Sequence, residues 1–469
     1  MNKRIPPLCV DLDGTLIASD TLWESVLVLL RRSPWLCFLL PIWLMRGRSF
    51  LKSKVTHHVK LAVETLPYRP DVLAFLRQQK AQGRYLVLAT AADIRIAETV
   101  AKHLGLFDEV LGSDKNTNLK GIIKRDRLQL LYGEFDYMGD SLSDLPVLAA
   151  ATRCFLVAPS PALRQRCQGT VAGEFAAIPL EKMQIIKLLR PHQWLKNVLV
   201  FVPLLLSDHN GSLEKWLIVL LAAFCFSLMA SAGYVVNDLL DLTADRQHTT
   251  KKYRPFASGA LPIQYGLPIF LGLVLISSGI SAVFLAWEFL GILWLYLSLT
   301  LFYSFYLKRR LVLDVIVLAG LYTHRLFAGG VAVGIATTSW LLAFSLFLFM
   351  SLAFLKRYIE LAQLPKKSKV SRRGYQADDL PMVMNFGTVS AYLSVLVFAL
   401  YIYSQDKMAH YQDPFWLWLL CPLWLYGLTR FWFLAHRQNI HDDPVQFVIQ
   451  DRVSWLIIIF TLLLFALAK

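Results

Sequence analysis

Charge is scarce in this sequence. Asp, Glu, Lys and Arg make up only 17% of its 469 residues, and its mean hydropathy of +0.48 lies above the range of ordinary soluble chains. The shortage is local. Apolar stretches of membrane-spanning length recur from about Trp194 to Ala468, whereas the residues before about Glu181 alternate short strand and helix patterns with ordinary charge content. Cysteine is sparse too: Cys9, Cys37, Cys154, Cys167, Cys225 and Cys421 are scattered, and no C-x-x-C pair is present. That excludes a zinc ribbon or a dithiol redox centre and leaves buried thiols as the expectation. The net charge of +15 comes without a basic patch interleaved with aromatics, so nucleic acid is not an expected partner. In a polytopic chain, excess Lys and Arg serves topology and anionic lipid instead. The opening MNKRIPPLCVDLDGT meets acidic residues before any long apolar core, so no signal peptide is expected.

About nine membrane spans are expected, over 194–207, 215–240, 264–287, 289–307, 311–333, 338–355, 388–404, 414–434 and 453–468; the first and last are short of the roughly 20 residues a crossing needs. The loops 241–262, 308–310, 356–373 and 435–452 carry sixteen Lys or Arg, against little beyond Lys215 and Lys407 on the opposite side. By the positive-inside bias these basic loops are cytoplasmic, and an even number of spans puts the N-terminal domain on the same side. The expected location is a bacterial inner membrane, crossed many times, with the soluble domain and the active sites cytoplasmic.

The second span ends in Asn237, Asp238, Asp241 and Asp245. Its three carboxylates at i, i+3 and i+7 share a helical face, near a depth where an unpaired Asp costs about 2.5–3.5 kcal/mol at the bilayer centre. Hard oxygen ligands so grouped suit Mg2+ completed by substrate phosphates, and Lys251 and Arg254 follow as cations for those phosphates. The rival is a solvated helix end. The run N-D-x-x-D-x-x-x-D, followed by R-P-x-x-S-G, resembles the first aspartate-rich motif of the UbiA superfamily of intramembrane prenyltransferases, a resemblance extending from about Ile186 to the C-terminus. It implies an all-α membrane bundle in which Asn237, Asp238, Asp241 and Asp245 bind Mg2+ and a diphosphate. The usual second D-x-x-x-D motif is reduced here to Asp314. Arg190–Asn197, Arg325 with Gly329 and Gly330, Lys356–Glu360 and the run from His441 to Pro444 look like the branch of decaprenyl-phosphate phosphoribosyltransferases, which implies phosphoribosyl diphosphate and a polyprenyl phosphate as substrates. Lys196, Lys251, Arg254, Lys308, Arg325, Lys356 and Arg357 are candidate phosphate clamps; each could also be a positive-inside anchor, except Arg325, which lies well inside a span.

In the soluble part, the apolar strand Leu8–Val10 runs into D-x-D-G-T. Asp11 and Asp13 at i and i+2 point to one side, close enough to share one Mg2+, and can divide labour as nucleophile and acid/base. A second buried strand ends at Thr90, Gly121 and Lys124 open a helix, and Gly139–Asp144 brings another carboxylate pair. Four pieces in this order resemble the haloacid-dehalogenase (HAD) phosphatase signature over about residues 5–175. The resemblance implies a Rossmann-like α/β domain with Asp11 as nucleophile, Asp13 as acid/base, Thr90 and Lys124 as phosphate ligands, and Asp140 and Asp144 as Mg2+ anchors; Lys120 is a weaker candidate for the lysine. Residues 20–80 read as a helical cap. Its apolar run Trp35–Met45, flanked by Arg31, Arg32, Arg46 and Arg48, is too short to span and is either cap core or an interfacial helix.

The expected organisation is a HAD-like domain at 1–175, a linker at 176–190 and the membrane transferase at 191–469. Joined together, they suggest that the membrane part makes a phosphoribosyl lipid from which the phosphatase removes the 5-phosphate. The alternatives are an aromatic prenyltransferase with an independent phosphatase, and a lipid-binding scaffold with a regulatory one.

Overall fold

The protein is described here by a computed structural model covering residues 5–176, 182–207, 211–363, 374–404, 411–437 and 444–468. Two compact units emerge, and neither is a continuous stretch of chain. One comprises Met1–Leu189 with Tyr234–Leu271; the other comprises Arg190–Gly233 with Gly272–Lys469.

The first unit is built on a six-stranded parallel sheet of β1 (Leu8–Val10), β2 (Leu86–Asp93), β3 (Glu109–Ser113), β4 (Asp136–Gly139), β5 (Cys154–Val157) and β6 (Val171–Phe175), in the order β3-β2-β1-β4-β5-β6. Helices α1 (Thr21–Arg32), α2 (Leu40–Met45), α3 (Arg48–His58), α4 (Pro70–Ala81), α5 (Ile94–Leu104), α6 (Ile122–Tyr132), α7 (Leu145–Ala150) and α8 (Pro161–Arg166) fill the connections. The period-2 alternation of the strands sorts their side chains into two cores. Leu8, Val10, Leu86 and Leu88 pack with Val72 and Leu76 of α4 and Ile96 and Val100 of α5. Cys9, Val87 and Tyr137 face the other way, onto Leu128 of α6, Val147 and Leu148 of α7, and Leu163 of α8. Both faces of the sheet are thus covered, as an all-parallel sheet requires. The strand order reverses between β1 and β4, and a sheet of this kind binds ligands beyond the carboxyl ends of its strands at such a reversal.

Residues 21–58 form a helical cap with its own small core of Leu29, Trp43, Leu51, Val55 and Val59. Asp20 caps α1 by accepting from the N–H groups of Leu22 and Trp23. The apolar run before and within α2 is buried only in part. Trp43 is buried in the cap core, whereas Trp35, Phe38 and Met45 are 72%, 76% and 88% exposed.

Among the described residues, seven helices have the length and apolar composition to cross a membrane: Leu213–Leu240, Ile263–Phe284, Trp287–Arg309, Leu313–Ala332, Ser339–Ala362, Ala377–Tyr403 and Phe415–His436. The chain is therefore a multi-pass membrane protein. The two expected spans of doubtful length are indeed the short ones. Residues Pro191–Phe201 form a 3-10 helix that passes into the short α-helix Val202–Leu206, and Arg452–Ala468 has 17 residues, about 25 Å of rise. Two spans outrun the apolar windows. The helix expected at 338–355 continues to Ala362, and that expected at 388–404 begins at Ala377. Hydropathy registers contact with lipid, whereas the backbone ladder continues through polar turns. Lys356 and Arg357 consequently sit on a helix and not in a loop. Lys407 and residues 364–373 and 438–443 of the basic loops, as well as 177–181 of the expected linker, lie outside the described residues.

Candidate functional site

At the reversal of the sheet, Asp11 follows β1 and Asp140 follows β4. Asp144 lies one turn further on, held by Ser141, whose N–H and hydroxyl both donate to its Oδ2. Carboxylate oxygens of Asp11, Asp140 and Asp144 come within 4.8 Å of one another. Gly14 permits this. Its φ is +76°, and a Cβ there would lie 2.1 Å from Asp140 Oδ2, so the loop after β1 passes against the carboxylate only because no side chain intervenes. Thr15 Oγ1 donates to Asp140 Oδ1 at 3.0 Å.

One lysine serves this acidic cluster. Lys124, only 1% exposed, places Nζ 3.2 Å from Asp11 Oδ1 and 3.5 Å from Asp144 Oδ1. It also donates to the Tyr137 hydroxyl at 2.8 Å, which donates onward to Asp144 Oδ1 at 3.1 Å. Burial works to lower the Lys124 pKa, but the two carboxylates outweigh it and raise it. Burial, then Asp11 and Asp144, push Asp140 up to about 8. Burial likewise raises Asp11, with Asp144 opposing Lys124. Three carboxylates facing a single ammonium leave an excess of negative charge in a dry site, and a divalent cation with hard oxygen preference is the group that relieves it. The donor set fits Mg2+, which would be held by Asp11, Asp140 and Asp144.

Asp13 is turned away from that cluster. Its carboxyl accepts from the Thr21 N–H at 2.8 Å and the Thr21 hydroxyl at 3.1 Å, so the expected sharing of one ion by the Asp11 and Asp13 side chains is not what the geometry brings about. Burial, then Asp20, hold Asp13 well above the usual carboxylate range, the direction of shift that suits a group which gives and takes protons. The strand expected to end at Thr90 runs on to Asp93, and Thr90 is fully buried within it, its Oγ1 accepting from the Ala92 N–H at 3.0 Å. Lys124 and the cluster open into a cavity of about 560 Å3 that also takes in Asp13, Lys120, Lys52 and Arg69. Lys52 and Arg69 come from cap and connecting segments with no motif around them. Nothing local in the sequence marks either one, nor Tyr137.

The aspartate motif of the membrane part behaves differently. Asp238 closes the helix Leu213–Leu240, Asp241 follows it, and Asp245 lies on the short helix Leu242–Arg246. Arg254 reaches back so that its Nη1 lies 3.0 Å from Asp238 Oδ1 and 2.6 Å from Asp245 Oδ2. Asn237 N-terminal to them lies on the same helix, and Lys251 is exposed in the following turn. Among the described residues, only Asp11, Asp140 and Asp144 meet the spacing of a single ion. The motif has oxygen donors of the right kind, but two of its carboxylates, Asp238 and Asp245, are held by a guanidinium rather than gathered around one metal position.

In the second unit the intramembrane arginines are enclosed. Arg325 donates through Nε to Asn197 Oδ1 at 2.9 Å and through Nη2 to the Tyr296 hydroxyl at 3.0 Å, and it lies over the rings of Phe226, Tyr296 and Tyr322. Asn197 in turn donates to Ser227 at 2.8 Å. Lys196 stands over the Tyr322 ring. Arg357 pairs through Nε with Asp314 Oδ2 at 2.8 Å and also contacts Glu360; the other oxygen of Asp314 accepts from the Tyr375 hydroxyl at 2.9 Å. The solitary aspartate of the second motif is thus engaged by an arginine and a tyrosine. Lys308 is buried and Lys356 half-buried. His441, Asp442 and Asp443 lie outside the described residues.

The architecture defines a class: a hydrolase-type α/β pocket and a polytopic helical transferase on one chain. The chain belongs to the UbiA prenyltransferase family, whose sequence model matches residues 198–467, and residues 8–149 match that of the haloacid dehalogenase-like hydrolases. It is 38% identical to the uncharacterized protein y4nM of Sinorhizobium fredii over 97% of this chain and 89% of that one. It is 34% identical to the nodulation protein NoeC of Azorhizobium caulinodans over 56% and 86%. With the decaprenyl-phosphate phosphoribosyltransferase of Mycobacterium tuberculosis it shares 33% over 47% of this chain and 74% of that one. Solved structures with a likeness include a UbiA homolog from Archaeoglobus fulgidus bound to DMAPP and Mg2+ (16% identity, TM-score 0.46, covering 60% of this chain and 99% of that one). Another is a HAD family hydrolase from Salmonella enterica serovar Typhi (16%, TM-score 0.28, 35% and 68%). Both families typically use Mg2+.

Proposed function

We propose that the membrane part transfers 5-phosphoribose from phosphoribosyl diphosphate to a polyprenyl phosphate, and that the HAD domain then removes the 5-phosphate, leaving a lipid-linked ribose. The observation that carries this reading is the membership of the aspartate motif and the hydrolase pocket in one compact unit. The likeness to phosphoribosyltransferases supports the choice of donor. The engagement of Asp314 by Arg357 and Tyr375 disfavours an aromatic prenyltransferase with two metal poles. Along the sequence the hydrolase is taken as 1–175 and the transferase as 191–469, the stretch Tyr234–Leu271 of the latter belonging to the first compact unit, with both sites at the cytoplasmic face of a bacterial inner membrane.

In the hydrolytic half, Asp11 is the nucleophile. One of its oxygens forms a bond to phosphorus as the bond from phosphorus to the ribose O5 breaks, and protonated Asp13 delivers its proton to that leaving oxygen. Asp13, now a carboxylate, takes a proton from water; the resulting hydroxide displaces Asp11 from phosphorus and inorganic phosphate departs. Lys124 holds the negative charge of Asp11 and of the transferred phosphoryl group in place. Mg2+ held by Asp11, Asp140 and Asp144 would neutralise phosphate charge during both displacements. In the transferase half, Asn237, Asp238, Asp241 and Asp245 handle the diphosphate, with Lys251 and Arg254 of the same unit supplying positive charge beside them.

Radiolabelled phosphoribosyl diphosphate and a polyprenyl phosphate, incubated with the protein in Mg2+, should put label into the lipid phase. Mass spectrometry should then find ribose without the 5-phosphate from the unaltered protein and the 5-phosphorylated lipid from Asp11→Asn. Because the uncatalysed hydrolysis of phosphate monoesters is so slow, phosphate release by Asp11→Asn should fall by at least about 10^4-fold. An identical lipid product from both proteins would refute the coupled reading.

A further inference from the structure

The hydrolase cavity has a wall that does not come from the hydrolase sequence. Beside Asp11, Asp13 and Lys124 it is lined by Gly259, Ala260, Pro262, Ile263 and Gln264, which follow the aspartate motif more than 100 residues after β5. Two contacts seat this segment within the unit. Arg246 makes a two-pronged, largely buried ion pair with Glu24 of α1, at 2.7 and 3.1 Å, and Glu24 also accepts from the Ser19 hydroxyl at 2.5 Å. Gly259, at φ +76°, lies so close to the cap entrance that a Cβ would come within 3.3 Å of Ala18 Cβ and 3.4 Å of Pro67 Cβ. A fork-shaped guanidinium on a buried carboxylate is a fixed joint and not a loose surface contact.

The chemistry of the wall narrows what it can face. Among the described residues lining the cavity there is no aromatic side chain, so no ring is offered for stacking on a base or an aryl group. Ser19, Asp20, Lys52 and Gln264 border the cavity; the first three already bond to Glu24, to the Leu22 and Trp23 N–H groups and to the Ala91 carbonyl, and Gln264 brings an amide to the wall. An amide recognises hydroxyls, and a volume of about 560 Å3 suits a compact ligand rather than a long one.

We propose that Gly259–Gln264 is the leaving-group wall of the hydrolase and that it selects a polyhydroxylated, pentose-sized phosphomonoester, with the Gln264 amide hydrogen-bonding a sugar hydroxyl. This rests on the hydrolase reading and sharpens it: the chain that follows the diphosphate motif also chooses what the phosphatase accepts. Gln264 is exposed at the cavity rim, and a group placed to hydrogen-bond a substrate hydroxyl discriminates against phosphomonoesters that lack one.

The test uses the full-length protein in lipid nanodiscs, with ribose 5-phosphate and p-nitrophenyl phosphate as probes. Gln264→Leu should lower the ratio of kcat/KM for ribose 5-phosphate over that for p-nitrophenyl phosphate about tenfold, mainly through KM, and Gln264→Asn should fall between Gln264→Leu and the unaltered protein. An unchanged ratio, whether both activities persist or both fall together, overturns the proposal. Failure of the hydrolase reading itself is separately visible, since Asp11→Asn would then still hydrolyse both probes.

Discussion

The two acidic sites on this chain use the same residue type and arrive at opposite arrangements. In the hydrolase, Asp11, Asp140 and Asp144 come from the ends of two neighbouring strands and the turn after one of them, and strand ends at a reversal of sheet order converge on a point. In the aspartate motif, Asp238, Asp241 and Asp245 follow one another along a helix and its continuation. A rise of 1.5 Å per residue spreads seven positions over about 10 Å. A helix face can line up carboxylates, but it cannot focus three of them on one ion without something in between. Arg254 fills that place here, bridging the first and last. Convergent strand ends suit a small ion; a helical row suits an extended, multiply charged ligand such as a diphosphate.

If that contrast is right, the sites fail independently. Asp238→Ala or Asp241→Ala should reduce transfer of label into lipid by about 10^3-fold, the scale of losing a charged group matched to a polyanion in a low-dielectric site, while phosphate release from ribose 5-phosphate stays within about twofold. Parallel loss of both activities would break the comparison. Gly14→Ala probes the convergent site by steric means. With no room between Gly14 and Asp140, the substitution should shift Asp140, raise the Mg2+ concentration needed for half-maximal hydrolysis and cost about 10^2-fold in kcat/KM; an unchanged Mg2+ dependence would mean that Asp140 is not a ligand. The smallest effect on chemistry is expected at Asp314→Asn. Arg357 would be left buried beside a neutral amide, a loss of about 3 kcal/mol in stability. It should appear as a lower unfolding midpoint in detergent, with hydrolysis unaffected at temperatures where the fold persists.

The contrast also explains what the sequence could and could not disclose. Short ordered motifs mark Asp11, Asp13, Asp140 and Asp144 because a strand end fixes each of them locally. The choice between Lys120 and Lys124 waits for burial: both border the cavity, but only Lys124 is enclosed and faces Asp11 and Asp144. Tyr137, Lys52 and Arg69 leave no trace because their roles depend on partners far away in the chain. The same is true of the bond between Asp314 and Arg357, which lie 43 positions apart, in what looked from hydropathy like a motif remnant and a basic loop. The span count was legible in its long members, since seven apolar runs became helices of crossing length. The break at Pro203 in the first expected span answers to backbone chemistry, which hydropathy does not weigh.

The joint between Arg246 and Glu24 also sets a timetable. The two residues are 222 positions apart, and at about 5–20 residues per second a ribosome needs roughly 10–45 s to travel from one to the other. The sheet, the lysine and the carboxylates of the hydrolase can all have emerged before that interval ends. Glu24 must wait, and so must the side of the cavity that Gly259–Gln264 provides, until the helix Leu213–Leu240 has been threaded into the bilayer. A newborn hydrolase that never reached a membrane would therefore keep its catalytic carboxylates and lack the wall beside them: a phosphatase able to act before it is able to choose.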